Sequence, residues 1–517
     1  MKNSSILWID DEVEHLTSHF IFLKEKGYQP TACTNGNEAL DLVAQNDYDV
    51  VLLDENMPGM SGLETLAALK AAHPQLPIVM ITKNEEEAVM NKALGGKISD
   101  YLIKPVNPNQ ILLALKKILQ HKDLMEEKTT QSYQQEFRAI ASALNSLSTA
   151  EDWMAFYNKL LYWELELENL QDPSMLEMFE SQKQAANHQF AKFVESHYPN
   201  WIAAPNTAPL LSHRLMEQNV LPRLSDRQPT LLVVIDNLRF DQWKCLRPLI
   251  EPHFKVSEEQ TYFSILPTAT QYARNALFSG LTPAEMAAQY PEFWKNDHEE
   301  GGKNMHEEAF LAALFERKQL KLRWSYHKIL NMQAGKQLLK TFQNHQQEQL
   351  TVLVYNFVDM ISHSKTEMEI IKELAADNKA YRSLTRSWFE NSPLAQILQK
   401  AKDLGFQLLL TTDHGTLNVT TPSQVISDRE ASVNLRYKTG RRLTHAAKDV
   451  IHCSSPKEFG LPTPFSNSSY IFAKQENYFV YPNNYNHYVK LFENTFQHGG
   501  VSLEEMLIPF VVLRPLT

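Results

Sequence analysis

The 517-residue chain is 43% hydrophobic and 21% charged, values near the globular average that exclude wholesale disorder and predict roughly two to four domains. Its net charge of −11 and pI of about 5.9 argue against tight nonspecific binding to duplex nucleic acid or to an anionic membrane surface. The three cysteines, Cys33, Cys245 and Cys453, are far apart and form no CxxC pair, so neither a disulfide framework nor a thiolate zinc site is expected.

The N-terminal apolar stretch Ile6 to Ile9 runs directly into Asp10, Asp11 and Glu12, which no secretory signal tolerates, and no later apolar run approaches a membrane span. A reducing cytoplasm is the expected location, without membrane insertion. Residues 1–120 alternate short apolar runs with amphipathic stretches, the pattern of βα units on a parallel sheet. Strands are predicted at Ile6 to Ile9, Val50 to Leu53, Ile78 to Ile81 and Tyr101 to Ile103, with a weaker one at Thr31 to Thr34. Helical spacing marks Asn37 to Ala44 and Gly62 to Ala71.

Asp10 and Asp11 stand at the end of the first strand and Asp54 just beyond the third, where strand ends converge in a doubly wound domain. Three carboxylates meeting there repel one another unless a hard divalent cation such as Mg²⁺ lies between their oxygens. Thr82 and Lys104 end the next two strands and offer a hydroxyl and a positive charge to phosphoryl oxygens. With DENMPGMSG at 54–62, these residues resemble the receiver domain of response regulators over residues 4–120. The resemblance implies that Asp54 accepts phosphate from a histidine kinase, that Asp10, Asp11 and Asp54 hold one Mg²⁺, and that Thr82, Tyr101 and Lys104 form the switch. Tyr101 can also be read as ordinary strand packing.

Residues 121–220 shift to Gln, Glu, Lys, Leu and aromatics with almost no glycine, and Trp153, Phe156, Leu160 and Leu161 recur at helical spacing. A helical connector bundle is predicted, either a transmission element or a packed spacer.

From residue 221 to 517 strands alternate with helices again, at Thr230 to Ile235, Leu350 to Tyr355 and Phe406 to Thr412; Ser469 to Ala473, Tyr478 to Tyr481 and Met506 to Leu513 are β-prone. LLVVID delivers Asp236 to a sheet edge, and LPTAT places Thr268 and Thr270 ahead of a helix, where a hydroxyl suits phosphate. Asp359 and His363 in DMISH, Asp413 and His414 in TTDHG, and His498 in QHGG are zinc-ligand residue types. Two zinc ions about 3.5–4 Å apart could clamp the attacking and leaving oxygens of an in-line displacement.

The order strand-end Asp, Thr, DxxxH, DHG, HGG resembles the alkaline phosphatase superfamily, and within it the PglZ-type branch. That resemblance implies an alkaline-phosphatase-like α/β domain with one zinc on Asp236, Asp413 and His414 beside Thr270, and the other on Asp359, His363 and His498. Thr270 is the implied nucleophile, with Thr268 as the fallback. Arg239 and Arg274 are candidates for holding substrate phosphate, or else ion-pair partners.

A receiver joined through helices to a PglZ-type domain resembles response regulators of type IX protein secretion. It implies a histidine kinase of the PorY type, phosphorylation-promoted homodimerisation, and contacts with a sigma factor or a secretion motor component. No DNA-binding domain is expected, because the terminal 120 residues hold no helix-turn-helix with a basic recognition helix. The expected activity is a zinc-dependent phosphodiesterase acting on a nucleotide or oligonucleotide. The alternative is a phosphorylation-switched scaffold whose zinc is structural.

Overall fold

The computed structural model describes residues 4–83, 98–168 (120–127 as backbone only), 172–356, 358–359, 377–427, 432 and 434–516. The chain divides into two compact units, 1–135 and 136–517, the division falling inside the helix Pro108–Leu144.

In the first unit, strands β1 (Ser5–Ile9), β2 (Gln29–Cys33), β3 (Val50–Asp54), β4 (Ile78–Thr82) and β5 (Asp100–Ile103) form a parallel sheet in the order β2-β1-β3-β4-β5. The near-continuous apolar runs of β1, β3 and β4 follow from burial on both faces. Leu7, Ile9, Val51 and Leu53 enter one core, while Ile6, Trp8, Val50 and Leu52 enter another, as the two-residue period of a strand requires. β2 begins two residues earlier than its sequence suggests and contains Pro30, which its edge position tolerates. Asn35 caps the helix Gly36–Gln45 by accepting from the Glu38 amide, and Ser61 with Glu64 forms a capping box for Gly62–Ala72.

The second unit opens with the predicted helices. Ala150–Leu167 starts at a Thr149/Asp152 capping box, and Pro173–Ala203 starts at Asp172 with proline in the first turn. Trp153, Phe156, Leu160 and Leu161 are all buried. Trp153 meets Phe190 edge-on, and Phe190 in turn stacks on Phe263. Linker and hydrolase-like region therefore share one aromatic core.

The large sheet contains β6 (Thr230–Ile235), β7 (Phe254–Phe263), β8 (Trp324–Ile329), β9 (Leu350–Tyr355) and β10 (Gln407–Thr411). Smaller sheets use β11 (Leu417–Val419), β12 (Thr421–Ile426), β13 (Tyr437–Gly440), β14 (Thr444–His445), β15 (Val450–Cys453), β16 (Ser469–Ala473), β17 (Asn477–Val480) and β18 (Thr495–Gln497). β19 (Leu507–Pro515) completes the large sheet, ordered β7-β19-β10-β6-β9-β8. β8, β9, β6 and β10 run parallel, and β19 pairs antiparallel with both β10 and β7. Among the β-prone residues 506–513, Met506 lies instead in the helical turn Leu503–Met506, because Ser502 accepts from the Glu505 amide and starts that turn.

His213 lies in the short turn Ser212–Arg214, where burial pushes its imidazole pKa down to about 4 from 6.5. Below pH 6.5 the unfolded chain therefore takes up a proton that the fold refuses. The contribution is fully present above that value and is lost as pH falls toward 4, by roughly 3 kcal/mol. Urea titrations at about pH 7 and about pH 4.5 should show a smaller stability difference in His213→Gln than in wild type.

Candidate functional site

The receiver sheet reverses its strand order between β1 and β3, so the carboxyl ends of these strands open a crevice. Asp10 follows β1 and Asp54 ends β3; both are buried, whereas Asp11 is exposed. One carboxylate oxygen from each lies within 4.8 Å of the others. Lys104 Nζ is 3.0 Å from Asp10 Oδ2 and 3.0 Å from Asp54 Oδ1. Burial raises the Asp54 pKa, and Lys104 only partly offsets this. For Lys104 burial opposes the charge, yet the two aspartates outweigh it and raise its pKa. Thr82 is fully buried at the end of β4. Tyr101 is half-buried on β5 against the Leu7/Leu53 core, and its pKa is raised by burial and then by Glu55.

In the second unit the parallel strands β6 and β10 deliver Asp236 and Asp413 to one edge, each just past the end of its strand. Asp236, Asp413 and His414 are fully buried and offer ligand atoms within 4.8 Å of one another. Thr270 is the first residue of the helix Thr270–Ser279, and its Oγ1 lies 3.1 Å from His414 Nε2 and 3.4 Å from Asp236 Oδ1. Thr268 Oγ1 is otherwise engaged: it donates to the Gly500 carbonyl at 2.9 Å and accepts from the Gly499 amide at 3.0 Å.

Asp359 lies past the end of β9, where its Oδ1 is 3.6 Å from His498 Nε2. The His498 and His414 rings stack with centroids 4.3 Å apart, which joins this pair to the first group. His498 Nδ1 is 3.1 Å from the Thr268 carbonyl, an arrangement in which Nε2 is the ring nitrogen that could hold a metal. His363 lies outside the described residues.

Arg274 is wholly buried. Its Nη1 lies 2.5 Å from Asp236 Oδ2 and 3.8 Å from Asp413 Oδ2, and its Nε bonds Glu307 at 2.5 Å. Desolvation drives the carboxyls of Asp236 and Asp413 upward and His414 downward. Apart from the Arg274 guanidinium and the His414 ring, Asp236 Oδ2 and Asp413 Oδ2 have no polar partner among the described residues in their buried positions. Buried carboxylate oxygens facing one another beside a buried imidazole suit a divalent cation, so this donor set fits zinc. The three receiver carboxylates, all oxygen donors with one exposed, fit Mg²⁺.

Arg239 does not face this group with a free guanidinium. Its Nε donates to Asp241 at 2.8 Å, its Nη1 donates to Asn378 at 2.7 Å, and its Nη2 pairs with Asp241. Each of its guanidinium nitrogens thus has a protein partner, as the ion-pair alternative for this residue expects.

Sequence reasoning passed over Asn237, Thr412 and Glu307. Asn237 adopts φ 64°, a conformation asparagine tolerates, and its amide donates to Asp413 Oδ1 at 3.3 Å and its side chain to Asp359 Oδ1 at 3.4 Å. The Asp-Asn pair after an apolar strand was the available signal. Thr412 Oγ1 accepts from the Leu238 amide at 3.1 Å and ties the two ligand loops together. Glu307, 33 residues from Arg274, carries no local signal.

Fold and sites together define a response-regulator receiver followed by an alkaline-phosphatase-like α/β domain. A family model for the BREX system PglZ alkaline phosphatase-like domain matches residues 215–513, more than half of the sequence, and the chain belongs to that family. The response regulator receiver domain model matches residues 6–116 and the PorX response regulator linker domain model matches 123–202, so the three-part order is the PorX architecture. Among curated relatives, the transcriptional regulatory protein ZraR of Klebsiella oxytoca is 32% identical over 138 residues, covering 27% of this chain and 31% of ZraR. SrrA of Staphylococcus aureus is 31% identical over 117 residues, covering 23% of this chain and 48% of SrrA. The chain thus spans less than half the length of these relatives. Among solved structures, CheY4 of Vibrio cholerae is 29% identical and covers 22% of this chain and 98% of its own, with a TM-score of 0.21. TrrA of Thermotoga maritima in complex with Mg²⁺ and BeF gives the same values. No described helix is long and apolar enough to cross a membrane.

Proposed function

We propose that the chain is a two-component response regulator whose output is a metal-dependent phosphodiesterase. The observation that carries this reading is the placement of Thr270 Oγ1 at a helix N-terminus, 3.1 Å from His414 Nε2 and beside the buried Asp236/Asp413/His414 group. Asp236, Asp413 and His414 would hold one zinc, and Asp359, His363 and His498 the other. When bound, the zinc ions supply positive charge that acidifies a nearby hydroxyl and neutralises developing charge on phosphoryl oxygens.

The chain's own residues do the rest. Thr270 Oγ1 gives its proton to solvent as it attacks phosphorus in line, the bond to the leaving alkoxide breaks, and the leaving oxygen takes a proton back from solvent. The N-terminus of the Thr270–Ser279 helix would favour a phosphoryl group placed beside it. Water then attacks the phosphothreonine, the bond from phosphorus to Thr270 Oγ1 breaks, a proton from the attacking water returns to Oγ1, and the phosphate monoester leaves. Arg274, fixed from behind by Glu307, balances Asp236 and Asp413. A nucleotide or oligonucleotide is the substrate we favour.

In the receiver, Asp54 accepts the phosphoryl group from a PorY-like histidine kinase, with Mg²⁺ on Asp10, Asp11 and Asp54 and with Lys104, Thr82 and Tyr101 reading the modification. Phosphorylation promotes a homodimer, and the output regulates type IX secretion through a sigma factor or secretion motor component; the match to the PorX linker supports this part.

Zinc-replete protein should hydrolyse bis(p-nitrophenyl) phosphate and short oligonucleotides, lose that activity on chelation and regain it with zinc. Absence of turnover by zinc-replete protein on both substrates would favour the scaffold whose metal is structural.

A further inference from the structure

Behind the hydrolase centre lies a buried chain of alternating charge, Glu504, Lys183, Glu164, Arg382, Asp241 and Arg239, each at most 5% exposed. Lys183 Nζ is 3.0 Å from Glu504 Oε1 and 3.0 Å from Glu164 Oε2. Arg382 Nη1 donates to Glu164 Oε1 at 3.0 Å and also to Asp241, which pairs with Arg239. Glu164 and Lys183 belong to the two linker helices; the other four belong to the hydrolase region.

The two ends of this chain meet the candidate metal loops. Glu504 sits in the turn that follows His498, Gly499 and Gly500, and a Cβ on Gly415, next to His414, would meet the Glu504 carbonyl at 2.0 Å. The Gly415 amide donates to the Glu505 carbonyl at 3.1 Å. At the other end, Arg239 is three residues beyond Asp236. Asn187, on the same linker helix as Lys183, adds an uncharged clamp: its Oδ1 accepts from the Leu503 amide at 2.8 Å and its Nδ2 donates to Glu504 Oε2 at 3.1 Å.

We propose that the linker is part of the hydrolase, with Lys183, Glu164 and Asn187 as positioning residues that hold the His498 loop in register with the Asp236 loop. Spacers need only apolar contact; a buried ionic chain fixes geometry, because each charge must face its partner. Force on the linker helices would then alter the spacing of the two metal-holding sets. The inference rests on the zinc phosphodiesterase reading.

The test uses the full chain, with zinc affinity measured by competition with a chelating dye and turnover on bis(p-nitrophenyl) phosphate. Lys183→Met should bind zinc at least about 10-fold more weakly and show a similarly lower kcat with little change in KM, while Lys183→Arg retains most of both. Asn187→Ala removes the clamp without stranding a charge and should weaken zinc about 3-fold or more, which decides the matter if Lys183→Met fails to fold. Folded variants with wild-type zinc affinity, lowered only in thermal midpoint, would overturn the proposal. Failure of zinc-replete wild type to turn over would instead remove the phosphodiesterase reading, leaving zinc affinity to judge the positioning role.

Discussion

Thr270→Val should lower phosphodiester turnover by about 10³-fold or more, roughly 4 kcal/mol of transition-state stabilisation, while the protein stays folded and takes up zinc. Valine matches threonine in shape and removes only the hydroxyl, so helix and backbone amides remain. The lost contacts, 3.1 Å to His414 and 3.4 Å to Asp236, are those of a part-buried hydroxyl that holds up no other loop. Thr268→Val gives the contrast. Its hydroxyl bonds Gly499 and Gly500, so removal strands backbone groups beside His498 and costs roughly 1–3 kcal/mol of stability, seen in denaturant titration. A larger loss of kcat per folded molecule in Thr268→Val than in Thr270→Val would reverse the nucleophile assignment. Mass spectrometry of acid-quenched enzyme should place the transient phosphoryl group on Thr270.

Asp54→Asn should abolish phosphoryl uptake from acetyl phosphate, read as loss of the one-phosphate mass increment of the intact chain. Asparagine keeps the size of the side chain but is a poor nucleophile, and it turns one of the three clustered carboxylates into a neutral amide. Asp54 is the proposed acceptor, and Lys104, 3.0 Å from its Oδ1, stands where it can follow charge onto an incoming phosphoryl group. Retained uptake in Asp54→Asn would move the acceptor to Asp10 or Asp11.

Much of the receiver was legible because its signals are local. Ile6 to Ile9 and Val50 to Leu53 read as strands in isolation, and Asp10 and Asp54 are fixed by where those strands stop. Its least legible strand was β2, where Pro30 dilutes the apolar pattern and only edge placement makes the strand possible. In the second unit the individual motifs stood out, since Asp236 and Asp413 directly follow apolar runs. Their mutual arrangement did not, because it depends on strand pairings such as Thr230 with Gln407. Both arginines show the limit of residue type as a guide. Arg239 and Arg274 are chemically suited to phosphate, but their carboxylate partners Asp241, Asp236 and Glu307 become visible only in three dimensions.

The place of β19 inside the large sheet bears on how the protein is made. β7 and β10 are not paired with each other; each pairs with β19, as when Leu409 meets Val512 and Tyr262 meets Ile508. A ribosome that has passed His414, three residues beyond β10, has produced every metal-ligand candidate except His498, yet the nascent sheet still has a missing interior strand. Such distant pairings form slowly, whereas the neighbouring βα units of the receiver can assemble as they emerge. The receiver is thereby ready to fold while the large sheet still waits for residues 507–515, and during that interval the facing edges of β7 and β10 are open strand edges suited to chaperone cover.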